Sequence, residues 1–484
     1  MAPLLTLLGI VGCSFALADD VVHKDATATC NEIEHKISKA SDVIYPIQIV
    51  QYHSNQHHWI LSSSNNAACV VEVGSPEDVS LVLQTVGASR TPFAVYSGGH
   101  ASNPGFSSTK GVHISLRRFD QVELSKDGKI ATLGFGQEWM DVYNTLSPSG
   151  VNVVGGRLPG PGVGGVTLGG GYSWKTNQYG MTVDTVKTFH VVLPNGTITS
   201  ASNHRNQDLF FALKGGLNRF GIVTSAEFYT HPQPSEVWGG FRLYLPGLAS
   251  EVLNATQHFV DHNKDPRTQL ILSLDATALG VSSLPILFHD GPNKPADFNV
   301  FDRLLTVVDN TGRKPFANLV AGFPFDLVVS ARGTFASFST TALTPRFLEA
   351  VKNEAAAIGR VSGLHSGTRV NFDLEPFANY GQYATDCAYP HADSLLPLHM
   401  FLAWTNPADD EWWYERIHQA VETLKQVGRD EGIYQDSFPE YPNYALAGTS
   451  TEKLYGTRNA ARLREIRERI DPERVMDLAG GFEI

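Results

Sequence analysis

Two glycine-rich segments, one of which contains a histidine, carry the clearest chemistry in this sequence. One reads Ser97-Gly98-Gly99-His100-Ala101, and the other runs from Gly155 to Gly171. Glycine is used where a backbone must turn with positive φ or approach a ligand closely, and exposed amides in such loops can wrap an anion. Two glycine loops that each follow a predicted strand suit the two phosphates of a pyrophosphate.

The second segment contains a pattern that also occurs in dinucleotide-binding folds. Gly160-Pro-Gly162-Val-Gly164-Gly165 matches G-x-G-x-x-G, and Asp184 follows about twenty residues later. In those folds the motif opens a helix. Here Val166-Thr-Leu-Gly169-Gly170-Gly171 comes next, and its glycines predict a long loop instead. Asp184 is expected either to hydrogen-bond near this loop or to cap a turn.

The chain divides into three regions by pattern. Residues 30–232 alternate short strands (68–73, 93–97, 112–115, 129–135, 188–192, 222–228) with helices such as 76–86 and 138–146. Residues 233–425 have longer strands, among them 369–375, whose alternating polar positions predict one polar face. Residues 426–484 return to a compact helix-and-turn pattern. The fold class expected is α+β with two domains.

Composition and targeting signals exclude several classes of protein. A net charge of −12 argues against nucleic acid as a partner. Residues 1–18 form a short uncharged apolar run ending Ala16-Leu17-Ala18, which predicts a secretory signal peptide and a secreted protein. No later stretch predicts a membrane span. His53, His57 and His58 have metal-like spacing, but no carboxylate or cysteine completes a site, so no metal is expected.

Export makes the cysteines and sequons informative. Cys30 opens a helix-like stretch and Cys69 opens a strand, so a Cys30–Cys69 disulfide is expected, with two buried thiols as the alternative. Cys387 is then left as a free or intermolecular thiol. Asn195 and Asn254 begin N-x-T sequons and are candidate glycosylation sites.

Several motifs together resemble one flavoprotein family. Ser97-Gly98-Gly99-His100, Gly134-Phe-Gly136, the 160–171 segment and the run from Asp208 to Thr224 follow the order and spacing of the FAD-binding half of the vanillyl-alcohol oxidase/p-cresol methylhydroxylase family. Tyr441-Pro-Asn443-Tyr444 and the residues after it resemble the closing segment of the berberine-bridge-enzyme-like branch. The resemblance implies an FAD-binding domain at 30–232, a substrate domain with an antiparallel sheet flanked by helices at 233–425, and a segment at 426–484 that returns to the FAD domain.

The resemblance also implies how FAD is held. His100 would carry the flavin covalently, and Leu158 replaces the cysteine of a second tether found in many members, so a single covalent link is expected. Pro161 stands where related enzymes control oxygen access, which leaves the electron acceptor open. The remaining contacts implied are Ser97, Gly98, Gly99, Ala101, Gly162, Gly164, Gly165, Gly169, Gly170, Gly171, Ile222, Val223 and Asn443.

Roles toward the substrate are implied at two places. Tyr441 is the candidate base that removes a hydroxyl proton, with Tyr444 as the substitute and a packed aromatic as the alternative for Tyr441. Arg369, Asn371, Asp373 and Glu375 form the polar face of the 369–375 strand and are expected either to line the substrate cleft or to face solvent.

The function expected is a secreted FAD-dependent oxidoreductase. Hydride would pass from a C–OH or C–N centre of a carbohydrate or secondary metabolite to flavin N5, and O₂ would then be reduced to H₂O₂. Two alternatives stay open, a redox-neutral or cyclising flavoenzyme and a non-catalytic binding protein on the same fold. The sequence has neither a G-x-S-x-G elbow nor a nucleotide-triphosphatase loop.

Overall fold

Two small sheets form the first region of the chain in the computed structural model, which describes residues 26–323 and 331–484. The predicted signal peptide therefore lies outside the described residues. The first sheet has strand order β1-β2-β4-β3 and consists of β1 Asp42–Ile44, β2 Cys69–Glu72, β3 Phe93–Tyr96 and β4 Val112–Ser115. Strand β1 is antiparallel to β2, whereas β2, β4 and β3 run parallel.

The second sheet is antiparallel, with strand order β5-β6-β10-β8-β9. Its strands are β5 Val122–Leu124, β6 Ile130–Gly134, β8 Val186–Val192, β9 Ile198–Ser202 and β10 Ile222–Tyr229. A short antiparallel pair, β7 Val151–Asn152 and β11 His231–Pro232, lies beside it. The two glycine segments connect strands of these sheets, so both loops leave a rigid framework.

A large antiparallel sheet dominates the middle of the chain. Its order is β15-β12-β14-β13-β18-β19-β17, with β16 also paired to β12. Its strands are β12 Val237–Leu243, β13 Thr268–Thr277, β14 Gly280–His289, β15 Val308–Asp309, β16 Gly312–Lys314, β17 Arg332–Thr340, β18 Gly367–Leu374 and β19 Leu396–Trp404.

The helices cover the sheets. They are α1 at residues 26–36, α2 Ile49–Ser54, α3 Pro76–Ser89, α4 Trp139–Leu146, α5 Val163–Leu168, α6 Thr176–Tyr179, α7 Gln207–Leu213, α8 Ala249–His262, α9 Phe316–Ala321, α10 Pro345–Ser362, α11 Asp410–Asp430 and α12 Thr451–Ile470. Helix α10 packs on β13, β14 and β18, and α11 packs on β17 and β19. No helix in the described ranges is both long and apolar enough to cross a membrane.

Local sequence explains why the longer helices begin where they do. The Ser75 hydroxyl accepts a hydrogen bond from the Asp78 amide at the start of α3, and Thr344 does the same for the Phe347 amide at the start of α10. In both helices a proline occupies the first turn, where its missing N–H costs nothing. These caps explain why α3 and α10 begin at Pro76 and Pro345.

Two large hydrophobic cores contain most of the buried apolar side chains of the described residues. One surrounds the two small sheets, and it includes Leu454, Leu463 and Ile466 from α12. The other fills the space between the large sheet and its helices. The Arg219 side chain donates hydrogen bonds to the carbonyl oxygens of Met476, Ala479 and Phe482. The C-terminal segment therefore packs against the first region, as the expected return to that region requires.

The α+β class and the strands expected from the sequence are confirmed, with shifts of a few residues at their ends. The domain boundaries remain predictions, and the one placed between residues 425 and 426 falls inside α11. The Cys30–Cys69 disulfide is confirmed, although α1 already includes residue 26 and Cys30 does not open it. Cys387 is free and buried.

Candidate active site

A cavity of about 320 Å³ opens between the first region and the large sheet. Its wall includes both glycine segments, the first two residues of β10 (Ile222 and Val223), the polar face of β18 and the segment Tyr441–Tyr444. Seventeen of the twenty residues expected around cofactor and substrate line it: Ser97, Gly98, Gly99, His100, Ala101, Gly162, Gly164, Gly165, Ile222, Val223, Arg369, Asn371, Asp373, Glu375, Tyr441, Asn443 and Tyr444.

The two glycine loops touch each other backbone to backbone. A Cβ added to Gly98 would lie 2.2 Å from the Gly162 nitrogen, and one added to Gly162 would lie 2.4 Å from the Gly98 nitrogen. Gly99 has φ of +67°, a conformation that residues with a side chain rarely adopt. Glycine is thus required here by the contact between the loops as well as by the turn.

The 160–171 segment corrects one expectation. A helix, α5 Val163–Leu168, begins directly after Gly162, although the sequence predicts a long loop. Gly164 packs closely against Phe135 and the Ser97 hydroxyl, with an added Cβ 3.2 and 3.1 Å from them. The low helix propensity of glycine is overridden here because tertiary packing favours one short helical turn. The motif therefore does open a helix, of six residues.

Gly169, Gly170 and Gly171 do not line the cavity, contrary to the expectation. A Cβ on Gly169 would lie 2.1 Å from the Asn443 side-chain oxygen, and the Gly171 amide donates a hydrogen bond of 3.0 Å to the Tyr441 hydroxyl. These glycines lie behind the 441–444 segment and allow its side chains to approach. Their role is to support the wall of the cavity.

His100 stands at the wall with its ring against an indole. Its ring is stacked on Trp59, with centroids 5.2 Å apart and planes 11° apart. Removal from water, together with the neighbouring His58 and His57, lowers the pKa of His100 to about 4. The imidazole is therefore neutral near pH 7, with a nitrogen lone pair free for chemistry.

The two candidate tyrosines have different surroundings. The Tyr441 hydroxyl accepts hydrogen bonds from the Gly171 amide and from the Asn443 side chain, each of 3.0 Å, and burial raises its pKa. Asn443 Nδ2 also donates to the Val166 carbonyl at 3.3 Å. Tyr441 is thus engaged in holding Asn443 and the glycine turn in place.

Tyr444 instead contacts a buried cation. Arg157 Nη2 donates to the Tyr444 hydroxyl at 3.0 Å and to Glu375 Oε1 at 2.8 Å. Burial raises the pKa of Tyr444, and the Arg157 charge offsets only part of that rise. Burial also lowers the pKa of Arg157, but Glu375 outweighs it and raises the pKa overall. Arg157 therefore stays charged beside the phenol.

The polar face of β18 is buried and lines the cavity. Arg369 Nη2 lies 3.1 Å from Asp275 Oδ1, Asn371 Nδ2 donates to the Ser273 hydroxyl at 2.7 Å, and Asp373 lies 3.5 Å from His399. The solvent-facing alternative for this strand is therefore wrong, and its role toward a substrate stays a prediction. Several side-chain atoms of this wall are buried with no hydrogen-bond partner among the described residues: Arg157 Nη1, Arg369 Nε, Asp373 Oδ1, Glu375 Oε2 and His399 Nε2.

Among the wall residues that sequence reasoning did not single out are Trp59, Arg157 and His399. Each carried a signal. Trp59 follows His57-His58, Arg157 is a lone charge in a glycine-rich segment, and His399 interrupts the apolar strand β19. A polar residue within an apolar strand is expected to have a partner or a function.

Asp184 is not part of the cavity wall. Its carboxylate accepts from the Met181 amide at 2.8 Å and pairs with His391 Nε2 at 2.8 Å. The turn-capping alternative is therefore the correct one. Among the described residues, no group of three or more His, Cys, Asp or Glu side chains could hold a metal ion.

Comparison with known proteins agrees with this geometry. Residues 67–202 match the FAD binding domain family FAD_binding_4. The FAD-dependent monooxygenase drtC of Aspergillus calidoustus is 29% identical over 478 residues, which cover 92% of this chain and 88% of that protein. The carbohydrate oxidase from Microdochium nivale superimposes with a TM-score of 0.76 at 20% identity, over 92% of this chain and 98% of the other. A variant of berberine bridge enzyme superimposes with a TM-score of 0.75 at 18% identity, over 93% and 98%.

The fold and the matching domain define an FAD-binding flavoprotein with a separate sheet over the cavity. Residues 67–202 therefore form an FAD binding domain, and the chain has the fold of the berberine bridge enzyme and carbohydrate oxidase structures. This finding agrees with the family resemblance of the sequence motifs.

Proposed function

We propose that this protein is a secreted oxidase that uses FAD to oxidise a C–OH or C–N centre of a carbohydrate or a secondary metabolite. One observation carries the proposal: a single cavity joins the neutral His100, the Tyr444–Arg157 pair and the polar face of β18. A cofactor loop, a proton acceptor and a polar substrate wall are the parts that such an oxidation needs.

The residues present fit FAD. The mutual approach of Gly98 and Gly162 leaves a backbone cradle free of side chains, which suits a pyrophosphate. Ser97–Ala101 and Gly162–Gly165 would hold the phosphates, Ile222 and Val223 the ribityl end, and Asn443 the ring edge. When bound, FAD supplies a two-electron acceptor.

Attachment of FAD to His100 gives the first prediction. The neutral imidazole has the lone pair that bond formation requires, and Leu158 offers no second tether. We expect acid denaturation to leave the yellow colour on the polypeptide in the wild type and to release it completely from His100→Ala. Absorbance of the precipitate and the supernatant measures this. His190→Ala, at a half-exposed histidine, is the matched control, and complete release from the wild type would refute the covalent link.

We assign the proton acceptor to Tyr444 rather than Tyr441. The Tyr444 hydroxyl lies beside the Arg157 cation, which stabilises the phenolate needed to accept a proton. Tyr441 accepts two hydrogen bonds from the supporting turn and from Asn443. Tyr441 accordingly positions Asn443.

O₂ is proposed as the electron acceptor, and Pro161 lines the cavity next to the glycine loop. The test is a peroxide-coupled screen of sugars and aromatic alcohols on the purified yellow protein. Peroxide formed in proportion to substrate consumed supports the oxidase. Product formed without peroxide would instead support the redox-neutral or cyclising alternative.

The similarity to drtC adds a second candidate, because that relative is named a monooxygenase and matches over 92% of this chain. Isotopic O₂ separates the two candidates: an oxidase leaves the label in peroxide, and a monooxygenase transfers it to the product. A purified protein without flavin absorbance would favour the non-catalytic binding protein.

Secretion rests on the signal-like N-terminus together with the Cys30–Cys69 disulfide, since disulfides persist mainly in oxidising compartments. Of the two sequons, Asn195 lies in an exposed turn after β8 and Asn254 on the exposed side of α8. Glycan occupancy measured by mass spectrometry of the secreted protein tests both sites.

A further inference from the structure

One histidine of the cavity wall has no assigned role. His399 lies on β19, where its neighbours Leu398 and Met400 are apolar and buried. The strand register places it directly opposite Asp373 on β18 and opposite Ser337 on β17. Because paired residues in an antiparallel sheet share a face, His399 and Asp373 project together toward the cavity that both line.

The Asp373 and His399 side chains lie next to each other and form a dyad. His399 Nδ1 lies 3.5 Å from Asp373 Oδ2. Burial would raise the pKa of Asp373, but His399, Ser273 and Arg369 together outweigh it and lower the pKa, so the carboxylate stays ionised. A ligand hydroxyl can donate to the Asp373 carboxylate and can either donate to or accept from His399 Nε2, so it suits the pair in either imidazole tautomer.

Both outer atoms of the dyad are unsatisfied. His399 Nε2 and Asp373 Oδ1 are buried without a partner among the described residues, and the two residues are each 8% exposed. Buried polar groups in folded proteins are normally paired. A buried ring nitrogen and a buried carboxylate oxygen that both lack partners therefore indicate a ligand that supplies O–H groups.

The surroundings of His399 define what such a ligand can be. The Tyr444 ring lies 4.1 Å from the His399 ring, centroid to centroid, and the Phe335 ring from β17 lies 5.0 Å away. The titratable groups facing His399 are Asp373 from β18 and Tyr444 from the C-terminal segment, and the Arg157–Glu375 pair stands beyond Tyr444. Flat aromatic neighbours with acceptors beside them suit a hydroxylated ring.

We propose that the Asp373–His399 dyad binds a second hydroxyl of the substrate, next to the hydroxyl that reacts at Tyr444. This inference rests on the proposed function. It makes His399 a specificity-determining residue and restricts the substrate to a ring with neighbouring hydroxyls. Sugars and polyhydric phenols share that chemistry.

Paired probes isolate the second hydroxyl. Catechol is compared with phenol, and glucose with 2-deoxyglucose, by calorimetric titration of the yellow protein. In one of the two pairs, we expect the member with the additional hydroxyl to bind at least about ten-fold more tightly, the factor expected for one good hydrogen bond. The pair that shows the difference identifies the source as phenolic or saccharide.

Variants then assign the difference to the dyad. His399→Gln should reduce the affinity ratio within that pair to near one, and Asp373→Asn should reduce it part of the way. His289→Gln is the matched control, since His289 is a similarly buried histidine of the same sheet that does not line this cavity.

The outcomes separate this inference from the function on which it rests. Ratios near one for both pairs in the wild type, or a ratio unchanged in His399→Gln that keeps its flavin absorbance, would overturn the dyad assignment. Absence of flavin absorbance from the wild type would overturn the proposed function instead.

Discussion

Single residues in the cavity owe their properties to the groups that surround them. Tyr441 and Tyr444 are three positions apart in sequence; Tyr441 is buried and Tyr444 is partly buried. One accepts hydrogen bonds from a backbone amide and an asparagine, and the other from a guanidinium. The chemistry available to a phenol depends on this difference, since a hydrogen-bonded cation stabilises a phenolate by its full charge, whereas neutral donors stabilise it by hydrogen bonding alone.

Removal of the Tyr444 hydroxyl tests whether this residue is the proton acceptor. We expect Tyr444→Phe to slow flavin reduction about 10²- to 10⁴-fold, the usual contribution of a positioned acid–base group. The wild-type rate should rise with pH into the alkaline range, because burial raises the pKa of Tyr444 and the phenolate is the accepting form. Stopped-flow absorbance at each pH measures both effects.

Tyr441→Phe serves as the comparison for that experiment. It removes the acceptor for the Gly171 amide and for Asn443, so it should weaken flavin retention more than it changes the pH profile. If Tyr441→Phe abolishes the alkaline rise and Tyr444→Phe preserves it, the base assignment is reversed.

At the scale of elements, the cavity depends on loops that approach more closely than side chains allow. The Gly98 and Gly162 backbones meet where β3 ends and α5 begins. Close approach of this kind couples two segments that are 64 positions apart in sequence. Neither loop can shift without moving the other.

Gly98→Ala should therefore impair cofactor binding. The added Cβ would lie 2.2 Å from the Gly162 nitrogen, so one loop must move away from the phosphate position. We expect a substantial loss of bound flavin per polypeptide, measured as the ratio of flavin to protein absorbance. Gly247→Ala, where an added Cβ meets nothing within 4 Å, should keep full occupancy. Equal occupancy in both variants would refute the cradle.

A buried ion pair links the turn after the glycine segment to the loop before β19. Asp184 and His391 have side chains 2% and 0% exposed. Burial lowers the pKa of His391, but Asp184 and Cys387 outweigh it and raise the pKa well above its usual value. Burial raises the pKa of Asp184, but His391 and Thr385 lower it overall.

These shifts predict how stability depends on pH. The contribution of His391 is complete below its unfolded pKa of about 6.5 and is lost as the pH rises through the higher folded pKa. The contribution of Asp184 is present above its unfolded pKa of about 3.9 and is lost as the pH falls through the lower folded pKa. We expect the melting temperature of the wild type to fall with pH above about 6.5 and Asp184→Asn to show a weaker dependence. Asp393→Asn, at an exposed carboxylate, should follow the wild type.

At the scale of the whole molecule, two hydrophobic cores meet across buried ion pairs. Lys175 follows the glycine segment and pairs with Asp290 after β14 at 2.5 Å, with side chains 1% and 5% exposed. Arg157 and Glu375 make the equivalent connection at the cavity. Both pairs join the two regions. Removal of one member of either pair would leave a buried charge without its partner.

Lys175→Met should destabilise the protein by about 3–5 kcal/mol, because Asp290 is left as an unpaired buried charge. Lys175→Met combined with Asp290→Asn should recover part of that loss. Unfolding by denaturant, followed by fluorescence and by flavin release, measures both variants. A double variant no more stable than the single one would show that the effect comes from packing and not from charge.

The sequence predicted a large part of this fold and site because their signals are local. Period-two alternation marked β18, glycine clusters marked both loops, and the family motifs marked His100 and the 441–444 segment. The prediction failed at Val163–Leu168, where glycine content argued against a helix that packing against Phe135 stabilises. It also placed Gly169–Gly171 at the cavity, because spacing along the chain does not show which side of a turn faces a ligand.

The sequence alone therefore determined the class of this protein and the segments that form its site, since both depend on local pattern and motif order. Only the tertiary structure decided which polar groups meet. Arg157 reaches Tyr444 and Glu375 across more than 200 positions, and His399 reaches Asp373 through strand register. Protonation and hydrogen bonding depend on such contacts through space, and a linear pattern does not contain them.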